Sequence, residues 1–266
     1  MTEVVGDEPR IVGSDRVLAV LAALGSHPRG ATLDQLSHEV SSPKPTVHRA
    51  LAALRRAGFA EQIDRGVYAI GDELLRIAFQ TVAERPDVAR VRPVLDELTA
   101  TFGETAHYAV LDGAEVVYRA KTDPAAGAVR LTSVVGGRNP AYRTAVGKLL
   151  LSGRVGSEAD LRALIGDGPL EARTSRTLTD VGALWRELEL TRERGYAVDD
   201  QENELGITCV AVALPPVDGA TPVGAVSISA LAFRTSLADL VSAVPRIRAI
   251  VAGGSGPRSL ADETAQ

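Results

Sequence analysis

The sequence lacks the residues that hold small secreted or metal-binding proteins together. Cys209 is the single cysteine among 266 residues, so no disulfide can form within the chain. The four histidines do not fall at metal-ligand spacing with one another or with Cys209. We therefore expect no disulfide framework, no metal site and no other cofactor.

Long apolar runs are missing as well. No uninterrupted apolar stretch approaches the roughly 20 residues that a membrane-spanning helix requires, so we expect no membrane partner. The first ten residues, MTEVVGDEPR, are acidic and contain no apolar segment, which is unlike a secretory signal. Together with the single cysteine, this pattern predicts a cytoplasmic protein.

Charge is distributed unevenly along the chain. The net charge is −5 at pH 7, yet residues 10–66 carry eight Arg and Lys against five Asp and Glu. A basic N-terminal part joined to an acidic remainder favours a DNA-binding head on a body that avoids DNA. The length predicts two domains, and a hydrophobic content of 45% is enough for ordinary cores.

Residues 10–71 have the pattern of a winged helix-turn-helix. Apolar residues recur at three- and four-residue steps after Ser14, which we expect to be the N-cap of the first helix. The further predicted elements are a second helix over Thr32–Val40 with Thr32 as its N-cap, a third helix from about Pro43–Thr46 to Ala57, and a hairpin over Phe59–Ile63 and Val67–Ile70.

The third helix and the hairpin turn carry the candidate DNA-binding residues. Side chains at the start of a recognition helix reach base edges in the major groove, and Arg and Lys also hold phosphates. A solvated amphipathic helix and a solvated turn are the alternatives for the isolated segments, but the complete order of elements favours DNA binding. The candidates are Lys44, Thr46, His48 and Arg49 in the helix, and Arg65 in the turn.

The rest of the chain predicts an α+β domain. Residues 72–85 form a linker helix in this interpretation, 86–252 the body and 253–266 a mobile tail. Strands and helices of the body mix without regular alternation, which is typical of an α+β sheet. The predicted body elements are an opening helix with Val91–Leu98, strands at 105–111, 115–120, 128–132, 207–214 and 223–229, a loop at 135–143, helices at 144–152, 157–165, 181–194 and 236–251, and a turn at 218–219.

Several of these stretches resemble those of IclR-family transcription regulators. The resemblance runs over roughly residues 14–252, in the order of the family. Pro45 departs from the serine or threonine often found there. The matching stretches are SDRVLAVL (14–21), PKPTVHRALAAL (43–54) and YAIG (68–71) in the head, and TAVGKLLLS (144–152) and RERGYAVDDQENELGITCVAVA (192–213) in the body.

The resemblance implies a GAF-like body whose pocket binds small organic molecules, often carboxylates. Leu131 is then an apolar wall, and Ala145 and Val146 lie at the amino end of a helix that begins near Thr144. Free amides and the dipole of a helix start attract a carboxylate. The implied polar lining consists of Asp199, Cys209, Ser227 and Ser229.

Each of these residues also has a structural interpretation. Small residues at 145 and 146 can serve tight helix packing, and Cys209 can be a small buried hydrophobe rather than a nucleophile, since no histidine motif accompanies it. Lys148 lacks the glycine-rich loop of a phosphate-binding lysine, so we expect it to serve structure or solubility. A charged surface loop, rather than a metal site, is the interpretation for Asp199, Asp200, Glu202 and Glu204.

The resemblance implies a one-component regulator that is not an enzyme. A homodimer or homotetramer would bind near-palindromic double-stranded operator DNA, and a small organic acid or another metabolite would change its operator affinity. One alternative is a small-molecule enzyme whose N-terminal helices only mediate dimerisation; it needs a catalytic constellation, and the sequence offers isolated candidates. Another is a DNA-binding protein that no longer responds to a ligand.

Overall fold

The computed structural model describes residues 13–83, 85–124, 131–216 and 224–253. Its contacts divide the chain into two compact units, Met1–Arg85 and Pro86–Gln266. The fold class is α+β, as predicted. None of the helices within these described ranges is long and apolar enough to cross a membrane.

The first unit is built from helices packed on a small sheet. Thr32 caps the second helix as predicted, because its hydroxyl accepts a hydrogen bond from the amide of Gln35 while the Gln35 side chain accepts one from the amide of Thr32. The core contains Val20, Leu24, Leu36, Val47 and Leu51, all buried. The helices are α1 (Ser14–Gly25), α2 (Leu33–Glu39), α3 (Lys44–Arg56) and α4 (Asp72–Ala83).

The sheet of this unit has the antiparallel strand order β1-β3-β2, where β1 is Ala31–Thr32, β2 is Ala60–Asp64 and β3 is Val67–Ile70. The β2–β3 hairpin turns at 65–66, with Gly66 at a φ of 75°. Gly71 closes the hairpin against the end of α3, where a Cβ atom would lie 2.3 Å from the carbonyl oxygen of Gly58. Helices followed by this hairpin form a winged helix-turn-helix.

The second unit is a six-stranded antiparallel sheet covered by helices on both faces. The strand order is β6-β5-β4-β9-β8-β7. Its strands are β4 (Thr105–Asp112), β5 (Glu115–Thr122), β6 (Arg138–Pro140), β7 (Ala197–Asp200), β8 (Ile207–Ala213) and β9 (Ala225–Leu231). Its helices are α5 (Pro86–Phe102), a short 3-10 helix (Ala141–Arg143), α6 (Ala145–Arg154), α7 (Glu158–Ile165), α8 (Val181–Arg194), α9 (Leu237–Ser242) and α10 (Val244–Gly253).

Alternation along the strands directs side chains into two separate cores. On β4, Tyr108 joins the core formed with α5 and α10, whereas Ala109 joins the core formed with α6, α7 and α8. The first six residues of β4 and of β9 are all buried, because each strand is covered on both of its faces.

Four local predictions were wrong. Ser14 is the first residue of α1 rather than its cap, and Gly13 precedes it without a side-chain cap. The predicted loop 135–143 contains β6 and the 3-10 helix, because its backbone pairs with β5. Asp199 and Asp200 end strand β7 instead of starting a surface loop. The single last helix is two, α9 and α10, separated at Ala243, and Pro245 lies in the first turn of α10, where its missing amide costs nothing.

Three predictions fall wholly or partly outside the described residues. The strand predicted over 128–132 is described at Leu131 and Thr132, which are not in a strand. The turn predicted at 218–219 lies outside the described ranges. The same holds for the predicted tail beyond Gly253, which itself ends α10.

Candidate functional site

The start of α3 presents the predicted DNA-binding side chains at the surface of the first unit. Lys44, His48 and Arg49 are exposed and Thr46 is half-buried. Lys44 Nζ lies 2.8 Å from Asp34 Oδ1, and both side chains are largely exposed, so this contact is weak and can exchange for a phosphate. The opposite face of α3 is buried through Val47, Ala50, Leu51 and Leu54.

Arg65 stands at the tip of the wing. Its side chain is exposed, and its backbone amide donates a 2.6 Å hydrogen bond to Asp64 Oδ1. The structure therefore places the five predicted residues on α3 and the wing of one unit, with all of them but Thr46 exposed.

The second unit contains a cavity of about 240 Å³ over one face of its sheet. All seven residues predicted for the effector pocket line it. They come from the segment after β5, the start of α6 and the strands β7, β8 and β9: Leu131, Ala145, Val146, Asp199, Cys209, Ser227 and Ser229.

Strand register explains why these distant residues meet. Asp199 pairs with Cys209, and Cys209 pairs with Ser229, so the three side chains form one line across β7, β8 and β9. Ser227 lies two residues from Ser229 on the same face of β9, and its partner across the ladder to β4 is His107. The cavity floor is thus a patch of polar positions on an otherwise apolar sheet.

The amino end of α6 supplies backbone donors. The Thr144 hydroxyl caps the helix by accepting a 3.0 Å hydrogen bond from the amide of Gly147. The amides of Ala145 and Val146 have no partner among the described residues, as expected for the first turn of a helix. A Cβ on Gly147 would lie 2.1 Å from the carbonyl oxygen of Ala141, so α6 packs directly on the 3-10 helix.

Asp199 is buried and held by the backbone that follows it. Its Oδ1 accepts a 2.7 Å hydrogen bond from the amide of Glu202 and a 3.4 Å bond from that of Asn203. Burial, followed by the charge of Glu202, raises the pKa of Asp199 to about 7, although the backbone bonds and Lys148 oppose the rise. The carboxyl group therefore changes charge near neutral pH.

Two charged side chains, Lys148 and Glu202, lie inside the domain. Lys148 is 1% exposed and its ammonium pairs with the carboxylate of Glu202, with Glu187 Oε1 at 3.9 Å. Glu202 Oε2 is buried and has no hydrogen-bond partner in the described chain. The prediction of a charged surface loop is therefore wrong for Asp199 and Glu202, whose buried carboxyl groups interact with groups inside the domain. It is correct for Glu204, which is exposed.

His107 is a cavity residue that the sequence-based prediction missed. It is 3% exposed, and its Nε2 lies 2.7 Å from Ser133 Oγ. Burial, followed by the charge of Lys121, lowers the pKa of His107 to about 3, so the imidazole is neutral at physiological pH. Other lining residues absent from the prediction include Tyr118, Thr132, Asn139, Arg173 and Asn203.

Cys209 faces the cavity without the surroundings of a nucleophile. Burial, followed by the charge of Asp199, raises the pKa of its thiol, which disfavours the nucleophilic thiolate. The described residues contain no group of three His, Cys, Asp or Glu side chains that could hold a metal ion. The arrangement favours binding over catalysis.

Comparisons with known proteins point to the same family in both units. A model of the IclR helix-turn-helix domain matches residues 14–64, and a model of the bacterial transcriptional regulator IclR C-terminal domain matches residues 80–253. The chain is 31% identical over 235 residues to the Pca regulon regulatory protein of Pseudomonas putida, covering 88% of this chain and 79% of that one. It is 32% identical to the HTH-type transcriptional regulator XynR of Escherichia coli, covering 88% of this chain and 92% of that one.

Solved structures show the same architecture. An IclR transcriptional regulator from Alicyclobacillus acidocaldarius aligns with a TM-score of 0.75 at 26% identity, covering 91% of this chain and 97% of that one. The IclR protein of Thermotoga maritima aligns with a TM-score of 0.68 at 25% identity, covering 91% and 98%.

A winged helix-turn-helix and a separate sheet domain with a polar cavity define the class of ligand-responsive transcriptional regulators. Within that class, the chain belongs to the IclR family. It is a DNA-binding transcriptional regulator with a C-terminal effector domain.

Proposed function

We propose that the cavity of the second unit binds a small organic acid and that its occupancy controls operator affinity. The observation that carries this proposal is the cavity itself. Two helix amides without a partner among the described residues, the buried hydroxyl of Ser227 and the carboxyl group of Asp199 line one volume of about 240 Å³. That volume lies below the range of about 300–1,000 Å³ typical of sites for drug-sized ligands, which favours a small molecule.

The carboxylate of the ligand binds at the start of α6 in this proposal. The amides of Ala145 and Val146 are available, and the helix dipole favours negative charge there. Arg173 lines the cavity and is exposed, and its guanidinium makes no ion pair with the described residues. Asp199 accommodates an anion when it is protonated, since a carboxylic acid can donate a hydrogen bond to a carboxylate.

The operator is bound by the start of α3 and by the wing. Lys44 and Arg65 contact phosphates, and Thr46, His48 and Arg49 reach base edges in the major groove. The buried face of α3 fixes these side chains on one rigid helix, and this rigidity supports a sequence-specific role.

Self-association completes the proposal. Leu18 on α1 and Phe79 on α4 are apolar and 62% and 72% exposed, which supports an interface with a second copy of the chain. A two-fold symmetric dimer, or a tetramer of such dimers, would bind a near-palindromic operator. Light scattering of the full chain measures this state directly.

Selection from random duplex DNA tests the operator part of the proposal. The purified full chain is incubated with random duplexes at near-physiological salt, with and without a pool of organic acids, and the retained DNA is sequenced. Enrichment of an inverted repeat supports the proposal. No enrichment in either condition, from a folded sample, contradicts it.

A catalytic role for the cavity is the competing function. Cys209 and His107 are the groups that could supply a nucleophile and a base, but the pKa of the thiol is raised and that of the imidazole is lowered to about 3. These shifts disfavour a thiolate–imidazolium pair. Turnover of the acids that bind, followed by mass spectrometry, would support the enzyme instead.

A further inference from the structure

A buried arginine lies just before the start of α6, behind the wall of the cavity. Arg143 ends the 3-10 helix, is 9% exposed and precedes Ala145 by two residues. Its Nε donates a 2.9 Å hydrogen bond to Asn203 Oδ1, and its Nη2 donates a 3.4 Å bond to Asn139 Oδ1. Both asparagines line the cavity, whereas Arg143 itself does not. The guanidinium group therefore lies directly behind two residues of the cavity wall.

This guanidinium group has no counter-charge within the described residues. Its two partners are neutral amide oxygens, and it makes no ion pair with any Asp or Glu of the described chain. The buried lysines near the cavity differ, because Lys121 pairs with Asp123 and Lys148 pairs with Glu202. Burying a charge is costly unless it is paired. An anion in the cavity would neutralise the charge of Arg143.

The hydrogen bond from Arg143 also fixes which way the carboxamide of Asn203 is turned. Its oxygen accepts from the guanidinium, so its NH2 group, which has two donors, points away from Arg143. That NH2 group makes no hydrogen bond within the described residues, although the backbone amide of Asn203 donates a 3.4 Å bond to Asp199 Oδ1. Asn203 is thus a cavity-lining donor that is held at both its backbone and its side chain.

The charge of Arg143 acts inside the cavity even though its side chain is not part of the lining. Asn139 hydrogen-bonds Tyr118, which lines the cavity as well. Burial raises the pKa of Tyr118, whereas the hydrogen bond with Asn139 and the positive charge of Arg143 oppose the rise. Charges interact more strongly away from bulk water, so an anion bound in the cavity would be stabilised by this buried cation.

We propose that Arg143 supplies the counter-charge of the bound acid and positions Asn203 to donate a hydrogen bond to its carboxylate. This inference rests on the proposed function, because the carboxylate is the one that the amides of Ala145 and Val146 bind. Asn203 contacts the ligand, and Arg143 is a positioning residue that acts through it. The pair selects an anion over a neutral group of the same shape, since the buried charge is neutralised by the anion alone.

Calorimetric titration of the full chain measures this selection as a preference for acids over their neutral amides. The probes are benzoate, phenylacetate, propionate and lactate, each compared with the corresponding amide. We expect an acid that binds to do so about tenfold or more tightly than its amide, the ratio that one charge-assisted hydrogen bond provides.

Variants of Arg143 separate its charge from its packing. Arg143→Met keeps a long unbranched side chain and removes the charge, so the ratio of acid to amide affinity should fall about tenfold. Arg143→Lys keeps the charge and should retain a ratio about threefold or more above that of Arg143→Met. Arg119→Met is the control, because the guanidinium of Arg119 pairs with Asp87 Oδ2 at 2.6 Å outside the cavity lining. It should leave the ratio unchanged.

Asn203→Asp is expected to affect stability and binding in opposite directions. The introduced carboxylate pairs with the unneutralised guanidinium of Arg143, so the midpoint of urea denaturation should rise. It also takes the place of the anion of the ligand, so acid affinity should fall about tenfold or more. In the Arg143→Met background the same substitution should lower the midpoint, because the carboxylate then has no partner.

The outcomes separate this inference from the proposed function. A ratio that falls in Arg143→Met and not in Arg119→Met supports the inference. If Arg143→Met does not fold, a raised midpoint in Asn203→Asp together with lost acid binding supports it. Acids that bind wild type and Arg143→Met with the same ratio, or a lowered midpoint in Asn203→Asp, overturn the inference and leave acid binding standing. Binding of none of the acids overturns the proposed function and this inference with it.

Discussion

The ammonium group of Lys148, 1% exposed, pairs with the carboxylate of Glu202, whose backbone amide donates a 2.7 Å hydrogen bond to Asp199 in the cavity. The hydroxyls of Thr174 and Thr177 fix the same segment by donating to the carbonyl oxygens of Gln201 and Glu202 at 2.7 Å and 2.6 Å. A buried ion pair thus supports the loop that orients a ligand-facing carboxyl group.

Lys148→Met is expected to destabilise the second unit by about 3–5 kcal/mol, because it leaves the carboxylate of Glu202 buried without its counter-charge. The double variant Lys148→Met with Glu202→Gln should recover part of this loss. Urea denaturation of the full chain measures the change.

The exposed ion pairs of Arg138 provide the matched control for this prediction. Its side chain is 48% exposed and its guanidinium pairs with Asp112 and Glu115, so Arg138→Gln should cost less than about 1 kcal/mol. Equal losses for Lys148→Met and Arg138→Gln would show that the Lys148 pair is not buried in solution.

The stability of the protein should carry a pH dependence from Asp199. Its pKa is 3.8 for the free side chain and about 7 in the folded chain, so between these values the folded state holds a proton that the unfolded state has lost. This contribution to the free energy of unfolding therefore falls as the pH rises from about 4 to about 7 and is constant above.

Asp199→Asn removes this titration while keeping the shape of the side chain. Denaturation at several values between pH 4 and pH 8 should show the variant gaining stability relative to the wild type as the pH rises. Because Glu202 also has a raised pKa, the difference between the two proteins is the quantity to compare. Parallel curves for the two proteins would refute a raised pKa at Asp199.

Gly147 and Gly153 form a matched pair in α6. Gly147→Ala should destabilise the unit by about 1–3 kcal/mol and weaken acid binding, since its Cβ would lie 2.1 Å from the carbonyl oxygen of Ala141 and displace the helix start. Gly153→Ala meets no atom within 4 Å and should be neutral or stabilising by up to about 1 kcal/mol. A destabilisation of the same size in both variants would contradict the close packing at Gly147.

The two ends of α3 are predicted to differ in their effect on DNA binding. Arg49→Ala should lower affinity for the selected operator about 5- to 150-fold, the effect of losing a base contact of about 1–3 kcal/mol. Arg56→Ala, exposed at the other end of the helix, should change it less than about threefold. Fluorescence anisotropy at one fixed salt concentration measures the operator affinity of the two variants. An equal loss of affinity in both would place the contact surface elsewhere on the unit.

The first unit was predictable because its signals are local. The capping box of Thr32 and Gln35, Gly58 at the end of α3 and the turn before Gly66 each act within a few residues. Ser14 was the exception, since a serine at the first helical position and a serine cap differ by one residue in the sequence.

The cavity could not be predicted from local patterns, because strand register brings its residues together from distant parts of the sequence. Its seven predicted residues followed from the family resemblance, and their roles in binding stay predictions. His107 was missed because a histidine within the buried run of β4 looks like any satisfied core residue. The burial of Glu202 was missed because charged residues are rarely buried unless they are paired, and its partner Lys148 lies 54 residues away in the sequence.

The central claim is that occupancy of the cavity changes DNA binding, and one titration tests it most directly. The selected operator, labelled and bound by the full chain, is titrated with the acid that binds most tightly in calorimetry, alongside Ser227→Leu, whose larger side chain occupies part of the cavity. The account predicts a change in operator affinity of about 5-fold or more for the wild type and little change for the variant. Equal operator affinity with and without saturating acid in the wild type would contradict it.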